Sequence, residues 1–413
     1  MKFQICKPIF EPATPRSESF RVACFALMVG NAAFVVGALL GNNWITDAGG
    51  QPNHTDFTNV YAAGRLVRNG EPAAAYDWTT HHLAENALIG HDSAQYFGWH
   101  YPPSFLIIAG LLAFLPYAAA FVVWIAATLL LYLSTIRVIV GDNIGWLLAG
   151  AFPCLMPNVI TGQNGFLTAS LIGGFLVLLQ RRPILAGVCL GLLTYKPQFL
   201  MLFPVVLLAG GCWDAIIAAA LTFAGLVLAT ISIFGLSAWV AFFHWLPLTS
   251  QALLSQDHAE WYKLQSLFAL VRMLGGDATL AWALQLALTG MLAGLLGAMW
   301  WNKHINSDLK ASALAVAVPL ATPYVYLYDL TVLGVSAAFL LRCALATGFI
   351  PGEVLGLAVI TVLFLIMPFL NVPVGLIISA ILALLIVRRV VLNKVVPGSL
   401  ALSFLPPVTP RQS

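Results

Sequence analysis

Charged residues are scarce in this chain of 413 residues, where Asp, Glu, Lys and Arg together make up only 8%. A water-facing surface cannot be built from so few charges when 60% of the residues are hydrophobic, so a soluble globular fold is excluded. The apolar runs are mostly about 20 residues long, enough to cross a hydrocarbon core of roughly 30 Å. They lack the period-2 alternation of membrane barrel strands. The sequence therefore predicts an all-α polytopic membrane protein.

Three further absences narrow the function. The net charge is only +3 and the basic residues are scattered, so nucleic-acid binding has no electrostatic footprint. Five of the six cysteines lie in apolar segments without CxxC spacing, which argues against a disulfide framework or a zinc site. No P-loop, GxSxG or dinucleotide fingerprint is present. Neither a nucleotide-driven mechanism nor a cofactor is therefore predicted.

Basic residues near the N-terminus predict the topology. They precede an apolar stretch, residues 22–40, that is too long for a cleaved signal sequence and has no A-x-A site. We therefore expect a retained first span with the N-terminus in the cytoplasm of a bacterial-type inner membrane. The predicted organisation is one catalytic membrane domain over residues 20–392, with extracytoplasmic loops at 42–101 and 235–276 and cytoplasmic tails at 1–19 and 393–413.

The hydrophobic runs predict about 12 membrane crossings, within a range of roughly 10 to 14, with both termini inside. The run 103–115 is short and bounded by prolines, so we expect that it does not cross fully. The other predicted spans are 117–138, 144–160, 165–180, 215–234, 279–300, 311–321, 330–346, 350–368 and 374–391, with short helices at 183–194 and 197–210.

The first extracytoplasmic loop contains more acidic than basic residues and two predicted short helices. Apolar residues from Phe57 to Val67 recur at helical spacing, which predicts an amphipathic helix beginning near Thr55 or Asp56. A second helix is predicted at 79–88. We expect both helices to lie along the membrane interface.

Lys196 lies inside the apolar run 190–208. An ammonium at membrane depth costs several kcal/mol unless it is paired or reaches water, so such a residue marks a site. Because short, proline-broken helices flank it, we predict a cavity at the outer membrane face in which Lys196 binds a phosphate or pyrophosphate. Snorkelling of the long side chain to the interface is the alternative.

Asp56 follows the first span directly, within the sequence Asn53 to Phe57. A carboxylate at this position can take the proton of an acceptor hydroxyl, and partial burial would raise its pKa toward the working range. An acid that only complements the dipole of the helix it begins is the alternative interpretation.

Two polar segments supply further candidates for a substrate site. Gln163 and Asn164 lie between two glycines in a turn that begins a helix, where amides can hold sugar hydroxyls or phosphate oxygens. Ordinary helix capping is the alternative. Tyr324, Tyr326, Tyr328 and Asp329 follow Pro323 and predict an aromatic and acidic rim that stacks on sugar rings, with an interfacial aromatic belt as the alternative.

The first loop contains the histidines His81, His82, His91 and His100. Their spacings match no zinc pattern, so no metal site is predicted. His100 and Tyr101 belong to an aromatic segment, residues 99–103, that we expect to re-enter the membrane and to contribute to substrate binding.

Several segments, taken in order and spacing, resemble glycosyltransferase family 87, the polyprenol-phosphate-mannose-dependent mannosyltransferases and their relatives of the GT-C superfamily. The resemblance covers roughly residues 20 to 390 and depends on these pieces: Thr55-Asp56-Phe57 to Tyr61, Gly70-Glu71-Pro72 to Tyr76-Asp77, Tyr101-Pro102-Pro103, Gly162-Gln163-Asn164-Gly165, Ala186-Gly187 to Tyr195-Lys196-Pro197, and Gln265-Ser266-Leu267.

The resemblance implies an inverting transferase that takes a sugar from a polyprenyl phosphate at the extracytoplasmic face and passes it to a glycolipid or glycan acceptor, without a cofactor. Asp56 looks like the family's catalytic aspartate, and Lys196 looks like the lysine that meets the donor phosphate. The mannosyltransferases are also thought to use a histidine near the late outer loop. The comparable stretch here, residues 323–329, contains none, which leaves open the donor sugar and whether Asp329 takes that place.

Two other functions remain open. A lipid or solute transporter or flippase would also place charges near broken helices, but it predicts pseudo-symmetric halves, and none is visible. A ligase or polymerase of O-antigen type, acting on pyrophosphate lipids, should have a larger late loop with arginines. The segment 235–276 contains only Lys263 and Arg272 as basic residues.

Overall fold

The computed structural model describes residues 15–41, 44–141, 143–254 and 260–395. Most of the two predicted tails, residues 1–14 and 396–413, lies outside these ranges. Within them the chain forms helices and loops, and its β-structure is limited to two isolated bridges. The all-α prediction is therefore confirmed.

Eighteen α-helices lie within the described ranges. They are α1 Pro15–Leu40, α2 Asp56–Arg68, α3 Trp78–Ile89, α4 Pro103–Leu112, α5 Tyr117–Val140, α6 Asn143–Ala151, α7 Leu155–Thr161, α8 Gly165–Leu178, α9 Pro183–Leu192, α10 Phe203–Gly210, α11 Trp213–Phe234, α12 Leu236–Leu254, α13 Leu267–Met273, α14 Ala278–Trp301, α15 Ser307–Leu320, α16 Val332–Thr347, α17 Glu353–Ile366 and α18 Val374–Val395. Short 3-10 helices occupy Pro72–Tyr76, Leu193–Tyr195, Pro197–Leu200, Trp261–Lys263, Leu327–Thr331 and Met367–Phe369.

Six of the described helices are long and apolar enough to cross a membrane, or seven if one bent pair counts as a single span. Six shorter apolar helices accompany them, among them α4, which ends after ten residues. The count of about 12 crossings therefore stays a prediction. The six long candidates are Phe20–Leu40, Tyr117–Val140, Trp213–Phe234, Ala278–Trp301, Leu327–Thr347 and Val374–Leu392.

Two predicted segments differ in the structure. The run 144–160, predicted as one span, is broken into α6 and α7, which are bent by 61° around Pro153, a residue without an N–H for a continuous helix. The segment 235–276, predicted as a loop, begins with the 19-residue helix α12. The apolar pattern of α12 is interrupted by His244, Pro247 and Gln251, and a helix was therefore not predicted here.

The helices are arranged around a buried centre. Helices α15 and α16 are almost entirely buried, and the hydroxyl of Ser312 on α15 donates to the Ser336 carbonyl of α16 over 2.8 Å. Helices α1 and α11 instead expose large apolar side chains such as Phe25 and Leu228. Apolar outer faces around a helical core are the arrangement of a multi-pass membrane protein.

The first loop is folded into the core, so α2 is covered on most of its faces by protein, and its orientation along the membrane interface stays a prediction. Nine of the 13 residues of α2 are buried, since it packs between α3, α4 and the 3-10 helix Pro72–Tyr76. Gly64 permits the close approach of α4, because a Cβ at this position would collide with the Ala109 carbonyl. The packing of α2 fixes the place of its first residue, Asp56.

Candidate active site

Asp56 is the first residue of α2, directly after the N-cap Thr55. Its half-buried carboxylate accepts a hydrogen bond at Oδ2 from Gln163 Nε2 over 3.0 Å. Burial raises the pKa of Asp56 to about 6, although the Gln163 hydrogen bond and the charge of Lys263 lower it. Asp56 is therefore mostly ionised at neutral pH and has the pKa of an effective general base.

Gln163 lies in the tight turn between α7 and α8. Gly162 adopts φ +72°, and a Cβ there would lie 2.6 Å from the Cβ of Phe57, so this turn requires glycine. The Gln163 carboxamide uses both ends within the protein, because Nε2 donates to Asp56 and Oε1 accepts from the Tyr101 hydroxyl over 3.2 Å. Gln163, predicted as a substrate ligand, thus orients two other candidate residues.

Lys196 forms an ion pair with Asp329, with Nζ 2.5 Å from Oδ1. Both side chains are buried, and Asp329 Oδ2 also accepts the backbone N–H of Tyr326 over 3.1 Å. The Lys196 ammonium lies 5.2 Å from the ring centroid of Tyr328, a cation–π distance. Lys196 therefore ends in a buried pair and does not snorkel to the surface.

Tyr101 links the two charged groups. Its hydroxyl contacts Gln163, which holds Asp56, and its ring centroid lies 6.3 Å from that of Tyr195, the neighbour of Lys196. Burial raises the pKa of the Tyr101 hydroxyl, and the nearby carboxylates of Asp329 and Asp56 raise it further. The first loop and the break before Pro197 are thus adjacent in the structure, and their role as one substrate site stays a prediction.

The aromatic segment 99–103 packs into the core, and its re-entry into the membrane stays a prediction. The Trp99 indole is 2% exposed and stacks on Phe105 at a centroid distance of 5.8 Å. Phe105 stacks in turn on Tyr195 at 4.9 Å. The ring of His100 lies against Gly98, and burial lowers the His100 pKa to about 4, so its imidazole is neutral. The segment forms an aromatic wall beside Lys196.

Asn164 is a buried candidate whose carboxamide lies close to the Tyr101 hydroxyl. It is 1% exposed, and neither polar atom of its carboxamide reaches the geometry of a full hydrogen bond with the described residues. A buried carboxamide without full hydrogen bonds costs free energy unless a water or ligand satisfies it. This makes Asn164 the strongest candidate for contact with a bound polar molecule.

The segment from Tyr324 to Asp329, called the tyrosine segment below, is fixed in place by a residue that was not among the predicted site residues. Tyr326 and Tyr328 stack at 5.6 Å with an interplanar angle of 10°. Asn158 Nδ2 donates to the Tyr328 carbonyl over 2.8 Å, while its Oδ1 accepts the Gly165 N–H over 2.9 Å. Asn158 is a buried amide in the short helix α7, and that isolated polar position was the signal that could have found it.

Gln265 connects three distant segments. Its backbone N–H donates to the Val325 carbonyl over 2.7 Å, and its Oε1 accepts the Gly375 N–H over 2.8 Å. The resemblance included Gln265, but no role was predicted for it. Its contacts join the region after α12, the tyrosine segment and the start of α18.

A groove of about 580 Å³ opens beside the site, between α1 and the start of α2. Its lining combines apolar residues of α1 with polar groups next to Asp56, and it is formed by Phe34, Ala38, Gly41, Trp44, Asn53, His54, Thr55 and Ile160. Across the described ranges, no three His, Cys, Asp or Glu side chains lie together as a metal-binding group.

Comparison with known proteins gives one match. The sequence model of glycosyltransferase family 87 matches residues 99–323, which include His100, Tyr101, Gln163, Asn164 and Lys196. Asp56 and Asp329 lie outside the matched range. No curated protein and no solved structure matches the chain.

Proposed function

Because the chain belongs to glycosyltransferase family 87, a GT-C-like family of membrane enzymes, we propose that it transfers a sugar from a polyprenyl-phosphate donor to a glycolipid or glycan at the extracytoplasmic face of the cell membrane. The observation that carries this proposal is the meeting of a half-buried carboxylate, Asp56, and a buried ammonium, Lys196, around Tyr101. A base and a phosphate-binding cation are the two groups that such a transfer requires.

Asp56 is the proposed general base. Gln163 occupies Oδ2, which leaves Oδ1 for the hydroxyl of the acceptor. The carboxylate takes the hydroxyl proton as the acceptor oxygen attacks the anomeric carbon from the face opposite the phosphate. The configuration is inverted by this single displacement.

Lys196 is the proposed ligand of the departing phosphate. An ammonium has three donors, and Asp329 uses one of them, so two remain for phosphate oxygens. The leaving group is already a phosphate, so it needs charge stabilisation and no added proton. Asp329 keeps the ammonium in place before the donor arrives.

The sugar is proposed to lie between these two groups. Asn164 offers its buried carboxamide to the sugar hydroxyls, and the rings of Tyr101 and Tyr328 offer apolar faces. His100 adds a neutral imidazole to the same aromatic wall. The lipid tail of either substrate would enter from the groove lined by α1 residues.

The transporter alternative is weaker. It accounts for charges beside broken helices, but it also predicts two pseudo-symmetric halves, and none is visible in the sequence. Membership of a glycosyltransferase family favours an enzyme.

A transfer assay in reconstituted membranes tests the proposal. Polyprenyl-phosphate mannose, glucose and arabinose are supplied in parallel, and the Asp56→Asn variant is compared with the wild-type protein. We expect donor binding to persist and transfer to be lost, because the amide cannot accept the proton. Asp92→Asn, which changes an exposed carboxylate of the same loop, is the matched control and should leave turnover unchanged. Unaltered turnover in Asp56→Asn would refute the base assignment.

A further inference from the structure

Glu85 is a buried carboxyl group in the first loop that the proposed reaction does not use. Its side chain on α3 is inaccessible to solvent, and three imidazoles face it. His81 Nδ1 lies 3.5 Å from Oε1, while His54 Nε2 and His82 Nδ1 lie 3.8 and 4.0 Å from Oε2. Within the described ranges, Glu85 Oε1 and these three nitrogens have no hydrogen-bond partner.

The hydrogen bond on the far side of His81 determines where its proton lies. His81 Nε2 is 3.3 Å from the Asn59 carbonyl, which can only accept, so Nε2 carries the hydrogen. In the neutral ring, Nδ1 then carries a lone pair, and this lone pair faces Glu85 Oε1. Two lone pairs facing each other in a buried site repel, and one proton between them converts the contact into a hydrogen bond.

The environment places this proton on the carboxyl group. Burial raises the pKa of Glu85 to about 8, and the charge of Asp56 also raises it, while the amides of Phe97 and Gly98 lower it. Burial lowers the pKa of His81 to about 3. At neutral pH Glu85 is therefore an uncharged acid that donates to a neutral imidazole.

The protonated pair is connected to the proposed base through α2. His81 donates to Asn59, which lies one turn after Asp56 on that helix. The ionisable groups that face the pair or interact with its members come from α3, from the residues around the start of α2, and from the loop after α3. They are His82, His54, Asp56, Tyr96 and His100. Two further groups act on these neighbours, since His91 faces His54 and Asp77 faces Tyr96.

We propose that Glu85 and His81 share one proton, and that this protonated pair is a positioning device that holds α2, and with it Asp56, in the geometry required for sugar transfer. The inference rests on the proposed function of Asp56. Loss of the proton leaves a buried carboxylate facing a lone pair, breaks the hydrogen bond that orients His81 toward the Asn59 carbonyl of α2, and adds a second negative charge near the base. The enzyme should therefore lose activity at alkaline pH.

The pH dependence of kcat/KM tests this inference. We expect the wild-type activity to fall by about tenfold per pH unit above about pH 8. Glu85→Gln keeps a permanent N–H that can donate to His81 Nδ1, so it should retain activity at neutral pH and lack the alkaline decline. Glu71→Gln, an exposed residue of the same loop, is the control and should keep that decline. The same decline in Glu85→Gln would overturn the proposal.

Infrared spectroscopy gives a readout that does not depend on activity. At neutral pH the wild-type protein should show the C=O stretching band of a protonated carboxylic acid, which Asp56→Asn retains and Glu85→Gln lacks. Absence of this band from the wild-type protein would overturn the shared proton even if the Gln variant does not fold. Full activity of Asp56→Asn would instead overturn the proposed function, and the band would still report on Glu85.

Discussion

Gln163 donates a hydrogen bond to Asp56 over 3.0 Å, although 107 positions separate the two residues in the chain. The bond engages one carboxylate oxygen and favours the charged form of the acid. The turn from Gly162 to Gly165 thus contributes to the orientation and the proton affinity of a residue on another helix.

The Gln163→Leu variant should move the acidic limb of the pH profile. In the wild-type protein kcat/KM should rise with pH through about 6, because Asp56 must lose its proton to act as a base. Removal of the donor destabilises the carboxylate by roughly 1.5 to 3 kcal/mol, which raises the Asp56 pKa by about one to two units. The limb should shift upward by that amount in the reconstituted assay. A limb that stays near pH 6 would contradict the role of Gln163.

In the Asp329→Asn variant, the buried ammonium of Lys196 should depend on the donor phosphate for its counter-charge. A buried ammonium without its partner destabilises the protein by about 3 to 5 kcal/mol, so the melting temperature should fall. Added donor lipid should raise the melting temperature of Asp329→Asn more than that of the wild-type protein, because the phosphate becomes the counter-charge. An equal shift in both proteins would show that the phosphate binds elsewhere. Lys196→Met combined with Asp329→Asn is the control, since it removes both charges.

Gly165→Ala should damage the site, whereas Gly174→Ala on the same helix should not. A Cβ at Gly165 would collide with the Tyr328 carbonyl, so the segment with Asp329 has to move. At Gly174 the nearest atom, Cys189 Sγ, lies at 3.4 Å, an ordinary contact. Because small displacements of catalytic groups are costly, we expect roughly 10- to 100-fold lower kcat/KM for Gly165→Ala. Comparable activity of both variants would place the tyrosine segment outside the site.

Glu85 should also make the protein less stable as the pH rises. The folded-state pKa of about 8 exceeds the ordinary 4.5, so the folded protein holds a proton that the unfolded chain releases. The stabilising contribution is complete below pH 4.5 and is lost as the pH rises toward 8. Thermal unfolding in detergent should therefore show a melting temperature that falls more steeply in the wild-type protein than in Glu85→Gln. Parallel curves would mean that Glu85 titrates normally.

The sequence predicted most helices because their ends are encoded locally. Prolines at the start of α4 and α9, and glycines after α5 and α7, mark boundaries that do not depend on tertiary contacts. The burial of α2 was not predictable in this way. Its pattern fits a surface helix, and only the approach of α4 at Gly64 shows that the other faces are covered.

The sequence could select candidate residues for the site, but it could not show which of them contact each other. Lys196 was predicted as a site residue because a charge in an apolar run is costly unless it is paired or reaches water. Its partner Asp329 lies 133 positions away, and nothing in the sequence pairs them. In the sequence, Glu85 is also not distinguished from the other acidic residues of the first loop. The imidazoles of His54 and His81 come close to it only because α3 packs against the start of α2.

The hydrogen bond between Gly375 and Gln265 has a consequence for biosynthesis. Gly375 is the second residue of α18, so a ribosome must translate the chain through α17 before this contact can form. A nascent chain that has inserted only its earlier helices lacks the Gly375 N–H that holds the Gln265 side chain. Gln265 in turn binds the Val325 carbonyl of the tyrosine segment, so that segment is also without this support. Premature termination before α18 should therefore yield membrane-inserted but inactive protein.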